Sequence, residues 1–443
     1  MKTKIISLLF IACIVAPGFI VVTNTIQSTP LLYGSEEFYM EADFSTIDGY
    51  ADILGNVNPF WHDLVDKENV ANDGEGVYIA VLDTGLLPYW PMFFDIDSIA
   101  WDLGKGFSHD VWYDDGIVFG DLRDDRGYYT DLASGHGTHL ASTILGFNFF
   151  DTNWIEGIAP KATIIPVLVL DAWLVDTPDG LVGLSGGTDE MISAGIYYIA
   201  NLADTLDGPV IINMSLGGPN PTQMIEDAID YAISKGVIVV CSAGNEGEAG
   251  MGYPGAYDQV ISCAACGWTP MFGYGWGSDV PEELDTPDFL GNDYQVYLED
   301  FSSRPNPDLG QKNTDLDVMA PGAWIVGPYK SLWAPVGNYG YYYVSGTSMA
   351  APHVSAMAAL ILELYPTFTQ KDVEHILKIA AGGVGKNYDR GFPKTGEDVW
   401  VYFPYVEEGY YSLSWGRHDY GRGFLQADEA MFYAAHYKVG QNK

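Results

Sequence analysis

Basic residues are scarce in this chain of 443 residues. Twenty lysines and arginines stand against 59 aspartates and glutamates, which gives a formal net charge of −39. A surface with this charge repels other polyanions. Nucleic acid and anionic lipid are therefore excluded as binding partners on charge alone, whereas a saline habitat and bound cations are both compatible with the composition.

Cysteine is also rare, with only Cys13, Cys241, Cys263 and Cys266 present. Cys263 and Cys266 have the spacing of a CxxC motif, but only Cys241 could join them and no suitably spaced histidine is near. A zinc site is therefore not expected. One disulfide with a free thiol, and buried thiols that act as small apolar side chains, both fit the sequence. A lipid on Cys13 is not favoured, because apolar residues continue after it.

Long apolar runs are confined to the N-terminus, where the lysines of MKTK precede the run Ile5–Val22. This arrangement is typical of an export signal. The run is also long enough for an uncleaved membrane anchor if Pro17 and Gly18 are tolerated. We expect residues 1–23 to be a signal peptide or an N-terminal anchor of a secreted protein. No other stretch is expected to be long and apolar enough to span a membrane.

Internal repeats and low-complexity tracts are absent too, and a regular alternation takes their place. Short apolar runs followed by small residues occur in GVYIAVLD, ATIIPVLVL, PVIINMSLGG, GVIVVCSAGN and QVISCAAC. Stretches with helical spacing separate them, as in HGTHLASTILG, TDEMISAGIYYIANLAD and NPTQMIEDAIDYAISKG. This alternation predicts an α/β fold in three layers, with a mostly parallel central sheet and helices on both faces.

We place this domain at residues 61–435, after a short leader at 24–60. Two segments rich in aromatic residues, near 267–300 and 383–418, are expected to be surface loops inserted into the domain.

Four residues able to carry chemistry stand where strands end or helices begin. Asp83 closes GVYIAVLD, Asn245 follows GVIVVCSAG, and His136 and Ser348 each open a predicted helix. Sites in open α/β sheets form beyond the carboxyl ends of the strands. A serine hydroxyl becomes a good nucleophile only beside a base whose own orientation is fixed by a partner. Taken singly, each residue would more often be an ordinary turn or capping residue, so the argument rests on the set.

Four motifs appear in a fixed order: AVLDTG (80–85), SGHGTHLA (134–141), SAGNEG (242–247) and SGTSMAAPHV (345–354). With these motifs the chain resembles the subtilisin-like serine proteases. Supporting stretches such as NMSLGG, DVMAPG and GRGFLQADEA extend the resemblance over about 75–430. The resemblance implies an exported serine endopeptidase that acts on polypeptide substrates and needs no cofactor for catalysis.

The resemblance also implies a role for each of the four residues. Asp83 would orient His136, which would act first as general base and then as general acid. Ser348 would be the nucleophile that forms an acyl-enzyme, and Asn245 would donate to the oxyanion. His139 lies beside a motif, but the family gives it no such role, and the same holds for His353.

Five further residues are expected to bind substrate because they match the family's pattern. Ser215, Leu216 and Gly217 would pair with the substrate backbone. Ala243 and Gly244 would line the primary specificity pocket. The alternative is that all five are ordinary strand and turn residues.

The segment HDVWYDDGIVFGDLRDDRG is rich in carboxylates, with aspartates at 110, 114, 115, 121, 124 and 125. Many members of the family bind calcium, so structural calcium is a candidate ligand here. A solvated acidic loop is the alternative, and no ligand residues are assigned. Pro352 is expected in the first turn of its helix, where its missing N–H costs little.

Two other functions compete with a general endopeptidase. A catalytically silent surface or binding protein could retain the protease fold, and a processing protease would cleave few targets. Secreted relatives often carry a folded prodomain, for which residues 24–60 are too few, and this departure leaves autoprocessing open.

Overall fold

The computed structural model describes residues 11–14, 19–24, 55–129, 132–269, 296–332, 334, 337–382, 396–402, 410–416 and 418–437. The strands are β1 Ile11–Ile14, β2 Phe19–Asn24, β3 Gly55–Val57, β4 Tyr78–Asp83, β5 Lys105–Tyr113, β6 Ile117–Arg126, β7 Gly146–Phe149, β8 Asn153–Glu156, β9 Thr163–Leu168, β10 Asp171–Thr177, β11 Gly180–Thr188, β12 Val210–Met214, β13 Ile238–Ser242, β14 Ile261–Trp268, β15 Val296–Leu298, β16 Val318–Pro321, β17 Ile325–Tyr329, β18 Gly340–Val344, β19 Gly396–Tyr402 and β20 Tyr410–Trp415. The helices are α1 Phe60–Leu64, α2 His136–Leu145, α3 Asp189–Ala203, α4 Gln223–Ser234, α5 Thr347–Leu364, α6 Gln370–Ala381 and α7 Ala427–His436.

A central sheet of nine strands, counted over these described residues, organises the domain. Its order is β15-β14-β13-β12-β4-β9-β5-β6, and β16 pairs with β14. The inner strands from β14 to β5 run parallel, as does β16, whereas β15 and β6 are antiparallel to their neighbours. Each apolar run quoted above supplies one of the inner strands, so the prediction of a mostly parallel sheet is confirmed.

Helices cover both faces of this sheet. Along β4, Ile79 and Val81 pack into one apolar core, while Ala80 and Leu82 pack into a second. Helices α2 and α5 contribute to the first core, and α3 and α4 contribute to the second. Because alternate side chains of a strand point to opposite faces, a strand buried on both sides is apolar throughout. The three-layer prediction is confirmed.

Helix α5 is the central element of the first core. In the described part of the chain, α5 has the length and composition that would allow a helix to cross a membrane. However, 89% of this 18-residue segment is buried inside the protein. The sequence expectation that no second stretch is long and apolar enough was therefore wrong on composition. The helix is apolar because it packs against the sheet.

Both segments that were expected to be surface loops contain strands. Residues 267–268 complete β14, and β15 adds a buried antiparallel edge to the central sheet. Strands β19 and β20 pair with each other inside the second segment. Val296 and Leu298 are fully buried, which explains why β15 joins the sheet. Residues 270–295, 383–395, 403–409 and 417 of the two segments lie outside the described residues.

The acidic segment is a hairpin formed by β5 and β6 and not a loop. Asp115 and Gly116 at its turn both have positive φ, at 54° and 157°. An Asp-Gly pair between apolar residues is a strong hairpin signal, because both turn positions tolerate this conformation. The Asp115–Gly116 pair therefore predicts this hairpin from the sequence, although the number of aspartates had suggested a loop. A second long hairpin, β10–β11, packs beside it, and β11 also pairs with β2.

Candidate active site

Asp83 and His136 are in contact at the carboxyl edge of the sheet. Asp83 is the last residue of β4 and is fully buried, and His136 is the first residue of α2. His136 Nδ1 lies 2.8 Å from Asp83 Oδ1 and 2.9 Å from Oδ2. The backbone N–H of Thr84 donates to Oδ1 over 2.7 Å. These donors compensate the buried carboxylate and orient the imidazole ring.

The other ring nitrogen of His136 has no partner in the described structure. His136 Nε2 is buried and has no hydrogen-bond partner among the described residues. With Nδ1 directed at a carboxylate, Nε2 is the nitrogen that can accept a proton. His136 and Ser348 line the same cavity, whose volume is about 210 Å³.

Ser348 is the second residue of α5 and is bonded reciprocally to Ser215. Ser348 Oγ donates to the carbonyl oxygen of Ser215 over 3.2 Å, and Ser215 Oγ donates to the carbonyl oxygen of Ser348 over 2.8 Å. The second bond has a cause in the sequence. Pro352 lies four residues after Ser348, inside the helix, and has no N–H to offer that carbonyl.

The expectation that Pro352 lies in the first turn was therefore wrong. Helix α5 begins at Thr347, so the proline occupies its second turn. Ser215 Oγ replaces the missing helical donor, and two further hydrogen bonds fix its position. Asn213 Nδ2 donates to Ser215 Oγ over 3.1 Å, and Ser355 Oγ donates to Asn213 Oδ1 over 2.9 Å. A buried polar network thus fixes the backbone at Ser348.

Asn245 follows β13 and is fixed by the residue before Ser348. Its Oδ1 accepts from the backbone N–H of Thr347 over 2.9 Å and from Thr347 Oγ1 over 3.0 Å. Because the carbonyl oxygen is engaged, the Nδ2 hydrogens are the donors that the side chain can offer to a ligand. Asn245 lines the cavity that holds His136 and Ser348.

The residues expected to bind substrate divide into two groups. Ser215, Leu216, Gly217 and Gly244 line the cavity. Ala243 does not, because its side chain is fully buried in the core beneath the sheet edge. All five roles stay predictions.

Sequence reasoning missed two walls of the cavity. One is the base of the β10–β11 hairpin, where Asp171 and Gly186 lie, and the other includes Met251 and Leu309. Asp171 follows an apolar strand in the same way as Asp83, so the same rule could have found it. Its carboxylate accepts from Ser108 Oγ over 2.8 Å and from the guanidinium of Arg126. The Met251 and Leu309 wall has no comparable signal in the sequence.

The two other histidines in the motifs are buried supports. His139 Nε2 lies 3.1 Å from the carbonyl oxygen of Ile325, and His353 Nδ1 lies 2.8 Å from that of Met349. Burial lowers the pKa of His139 to about 3 and that of His353 to about 4. Both are therefore neutral near pH 7 and suited to packing and hydrogen bonding, as expected.

The carboxylates of the β5–β6 hairpin do not converge on a cation site. Arg123 pairs with Asp110 and Asp125, and Lys105 pairs with Asp124. Among the described residues, no group of three or more histidine, cysteine, aspartate or glutamate side chains could hold a metal ion. Three of the six aspartates of this hairpin are thus paired with basic side chains, and structural calcium stays a prediction.

Cys241, Cys263 and Cys266 are free and buried in the described structure. Burial raises the pKa of each thiol above its ordinary value. Of the two alternatives open to the sequence, small apolar side chains describe these three residues.

A family model described as the subtilase family, peptidase S8, matches residues 74–398 of this chain. Subtilisin DY of Bacillus licheniformis is 30% identical over 270 residues, which span 60% of this chain and 77% of that protein. Subtilisin E of Bacillus subtilis is 32% identical over 323 residues, which span 72% of this chain and 64% of that protein, just under two thirds of its length.

A solved protease structure has a similar fold. The solved structure of the S41 psychrophilic protease is similar with a TM-score of 0.54 and 25% sequence identity. The similarity covers 84% of this chain and 99% of that one. The α/β fold of this chain is thus shared with that protease over 99% of the solved structure.

The burial of neutral His353, five residues after Ser348 in α5, predicts that the fold is less stable at acid pH. The unfolded chain takes up a proton at this position as the pH falls through about 6.5, whereas folded His353 does so only near pH 4. Stability is therefore present above pH 6.5 and is lost as the pH falls towards 4. Between pH 7 and pH 5 the wild type should lose about 2 kcal/mol more unfolding free energy than H353Q. Urea unfolding at both pH values measures this, and equal losses would contradict it.

Proposed function

Because the chain belongs to the subtilase family of serine endopeptidases, we propose that Asp83, His136 and Ser348 form its catalytic triad. The chain would hydrolyse peptide bonds through an acyl-enzyme intermediate. The observation that carries this proposal is the 2.8 Å contact between His136 Nδ1 and buried Asp83, together with the cavity that His136 and Ser348 both line.

Acylation begins at Nε2 of His136. Ser348 Oγ leaves the carbonyl oxygen of Ser215 by a change of side-chain rotamer and turns towards Nε2, since catalytic hydrogen bonds often form only with substrate present. Oγ then attacks the substrate carbonyl carbon while its proton passes to Nε2. Asp83 stabilises the imidazolium that results. The proton next goes to the leaving amine, and water reverses the sequence to release the acid.

Negative charge on the substrate oxygen requires donors. Asn245 Nδ2 is one, since the Asn245 carbonyl oxygen is held by Thr347. The backbone N–H of Ser348 is another, because the first N–H groups of a helix have no helical acceptor. The positive end of the helix dipole of α5 adds to both. These groups are fixed before reaction, which is what makes such donors effective.

The substrates are extended or unfolded polypeptides. Ser215, Leu216 and Gly217 leave β12 along one wall of the cavity, where an extended chain can pair with them, and Gly244 also lines the cavity. A cavity with polar chemistry at one end and glycine-rich walls accepts many sequences, which favours a general endopeptidase over a processing enzyme with few targets.

Export completes the proposal. Residues 1–23 would direct the chain out of the cell as a signal peptide or hold it there as an anchor, 24–60 would be a short leader, and 61–435 would be the peptidase. Protein recovered from culture medium should begin after residue 23 if the signal is cleaved, whereas an anchor should leave the full chain in the membrane fraction. N-terminal sequencing of both fractions tests this, and full-length protein confined to the cytosol would refute export.

Replacing Ser348 with alanine should abolish hydrolysis of denatured casein and leave the fold intact. By analogy with subtilisin, turnover should fall by about 10⁶. A fluorophosphonate probe should label the wild type and fail to label S348A. S234A, which changes an exposed serine on α4, is the matched control and should behave as wild type. A wild type that neither cleaves casein nor takes the label would instead support the silent binding protein.

Replacing Asn245 with aspartate should remove the oxyanion donor. Aspartate keeps an acceptor for Thr347 but loses the NH₂ group, and its negative charge also repels the oxyanion. In subtilisin the loss of one such donor lowers turnover by about 10²–10³, and a fall at least this large is expected for N245D. The fall should appear in kcat, measured at a temperature where circular dichroism shows the variant to be folded. Activity within fivefold of wild type would exclude Asn245 from this role.

A further inference from the structure

An exposed leucine stands at the mouth of the cavity. Leu309 ends a 3₁₀ turn, Pro307–Leu309, and its side chain is 58% exposed. Single apolar residues on a surface are common and need no explanation. Leu309 differs from the other large hydrophobic residues that are exposed in the described structure, because it alone among them lines the cavity that holds Ser348.

The segment that carries Leu309, residues 304–311, is fastened to the cavity wall by its own side chains. Gln311 Nε2 donates to the carbonyl oxygen of Met251 over 2.7 Å, and Gln311 Oε1 accepts from the N–H of Met251 over 2.9 Å. Asn306 Nδ2 donates to the carbonyl oxygen of Ala249 over 3.1 Å, and its Oδ1 caps the turn at Asp308. These bonds fix the loop to the strip 249–251 instead of leaving it free in solvent.

The leucine itself packs on backbone. Gly250 has a φ of 129°, and a Cβ added there would come within 2.6 Å of Leu309 Cδ1. Glycine at this position therefore lets the leucine approach the strip closely. The side chain has one face held by protein and the other open to the cavity.

We propose that Leu309 is a specificity-determining residue, which selects an apolar side chain on the substrate residue whose carbonyl is attacked. This inference rests on the proposed function. Asn245, the proposed donor to that carbonyl oxygen, lines the same cavity as Gly250 and Leu309, so a side chain next to the carbonyl can reach Leu309. Contact would remove water from both apolar surfaces, which is favourable in proportion to the area buried.

Two N-succinyl tetrapeptide p-nitroanilides test the proposal, identical except for phenylalanine or alanine at the residue that supplies the attacked carbonyl. The quantity measured is kcat/KM for the phenylalanine substrate divided by kcat/KM for the alanine substrate. The wild type should favour phenylalanine. L309D should lower this ratio about tenfold and L309A by at least threefold, mainly through KM for the phenylalanine substrate.

Two further variants separate selectivity from stability. L309M keeps an apolar side chain of similar size and should keep the ratio within twofold. L364A changes a leucine that is 50% exposed at the far end of α5, outside the cavity, and should also keep the ratio. Because the ratio compares two substrates on one enzyme, a loss of folded protein cancels from it.

The outcomes are distinct. A ratio that falls by threefold or more in L309A and L309D, but not in L309M or L364A, supports the proposal. A smaller change, or a wild type without preference for phenylalanine, overturns it. Hydrolysis of both substrates by the wild type, lost in S348A, shows in the same assay that the proposed function stands whatever the fate of Leu309.

Discussion

The contact between Asp83 and His136 is the constraint on which the rest of the site depends. A carboxylate with no exposure is costly unless donors surround it, and Asp83 has only Thr84 and His136 within its reach in the described structure. The end of β4 must therefore meet the start of α2. Small residues allow this, because a Cβ on Gly137 would lie 2.4 Å from the carbonyl oxygen of Gly85. The glycine of HGT is thus required by the approach of the two backbones.

A second constraint acts on the other side of the cavity, where a helix carries an interior proline. Pro352 removes the donor that the Ser348 carbonyl would have in a regular helix, and Ser215 supplies a replacement from the end of β12. The defect in the helix is thereby converted into a bond between the helix and the sheet. The backbone at Ser348 and the ring of His136 are consequently positioned by the ends of two strands of one sheet, β12 and β4.

Much of this arrangement could be predicted because its signals are local. Apolar runs that end in small residues marked the inner strands, and Asp83 and Asn245 followed from their places after such runs. The β5–β6 hairpin also has a local signal, Asp115–Gly116, but the six aspartates of the segment led to the prediction of an acidic loop or a calcium site. Leu309 had none. Its position depends on Gln311 bonding to Met251, sixty residues earlier in the chain, and such pairing leaves no periodic pattern in the sequence.

The same distinction separates chemistry from selectivity in this fold. The groups proposed to react stand at strand ends and helix starts, so their positions depend on the backbone of the sheet edge itself. The cavity walls come from the β10–β11 hairpin and the 304–311 segment, which are held by side-chain bonds such as Arg126 to Asp171 and Gln311 to Met251. A wall fastened in this way can change its exposed residue without altering a strand contact. Substrate preference can therefore vary among proteins of this architecture while the reacting groups keep their geometry, because the two sets of residues share a cavity but not their supports.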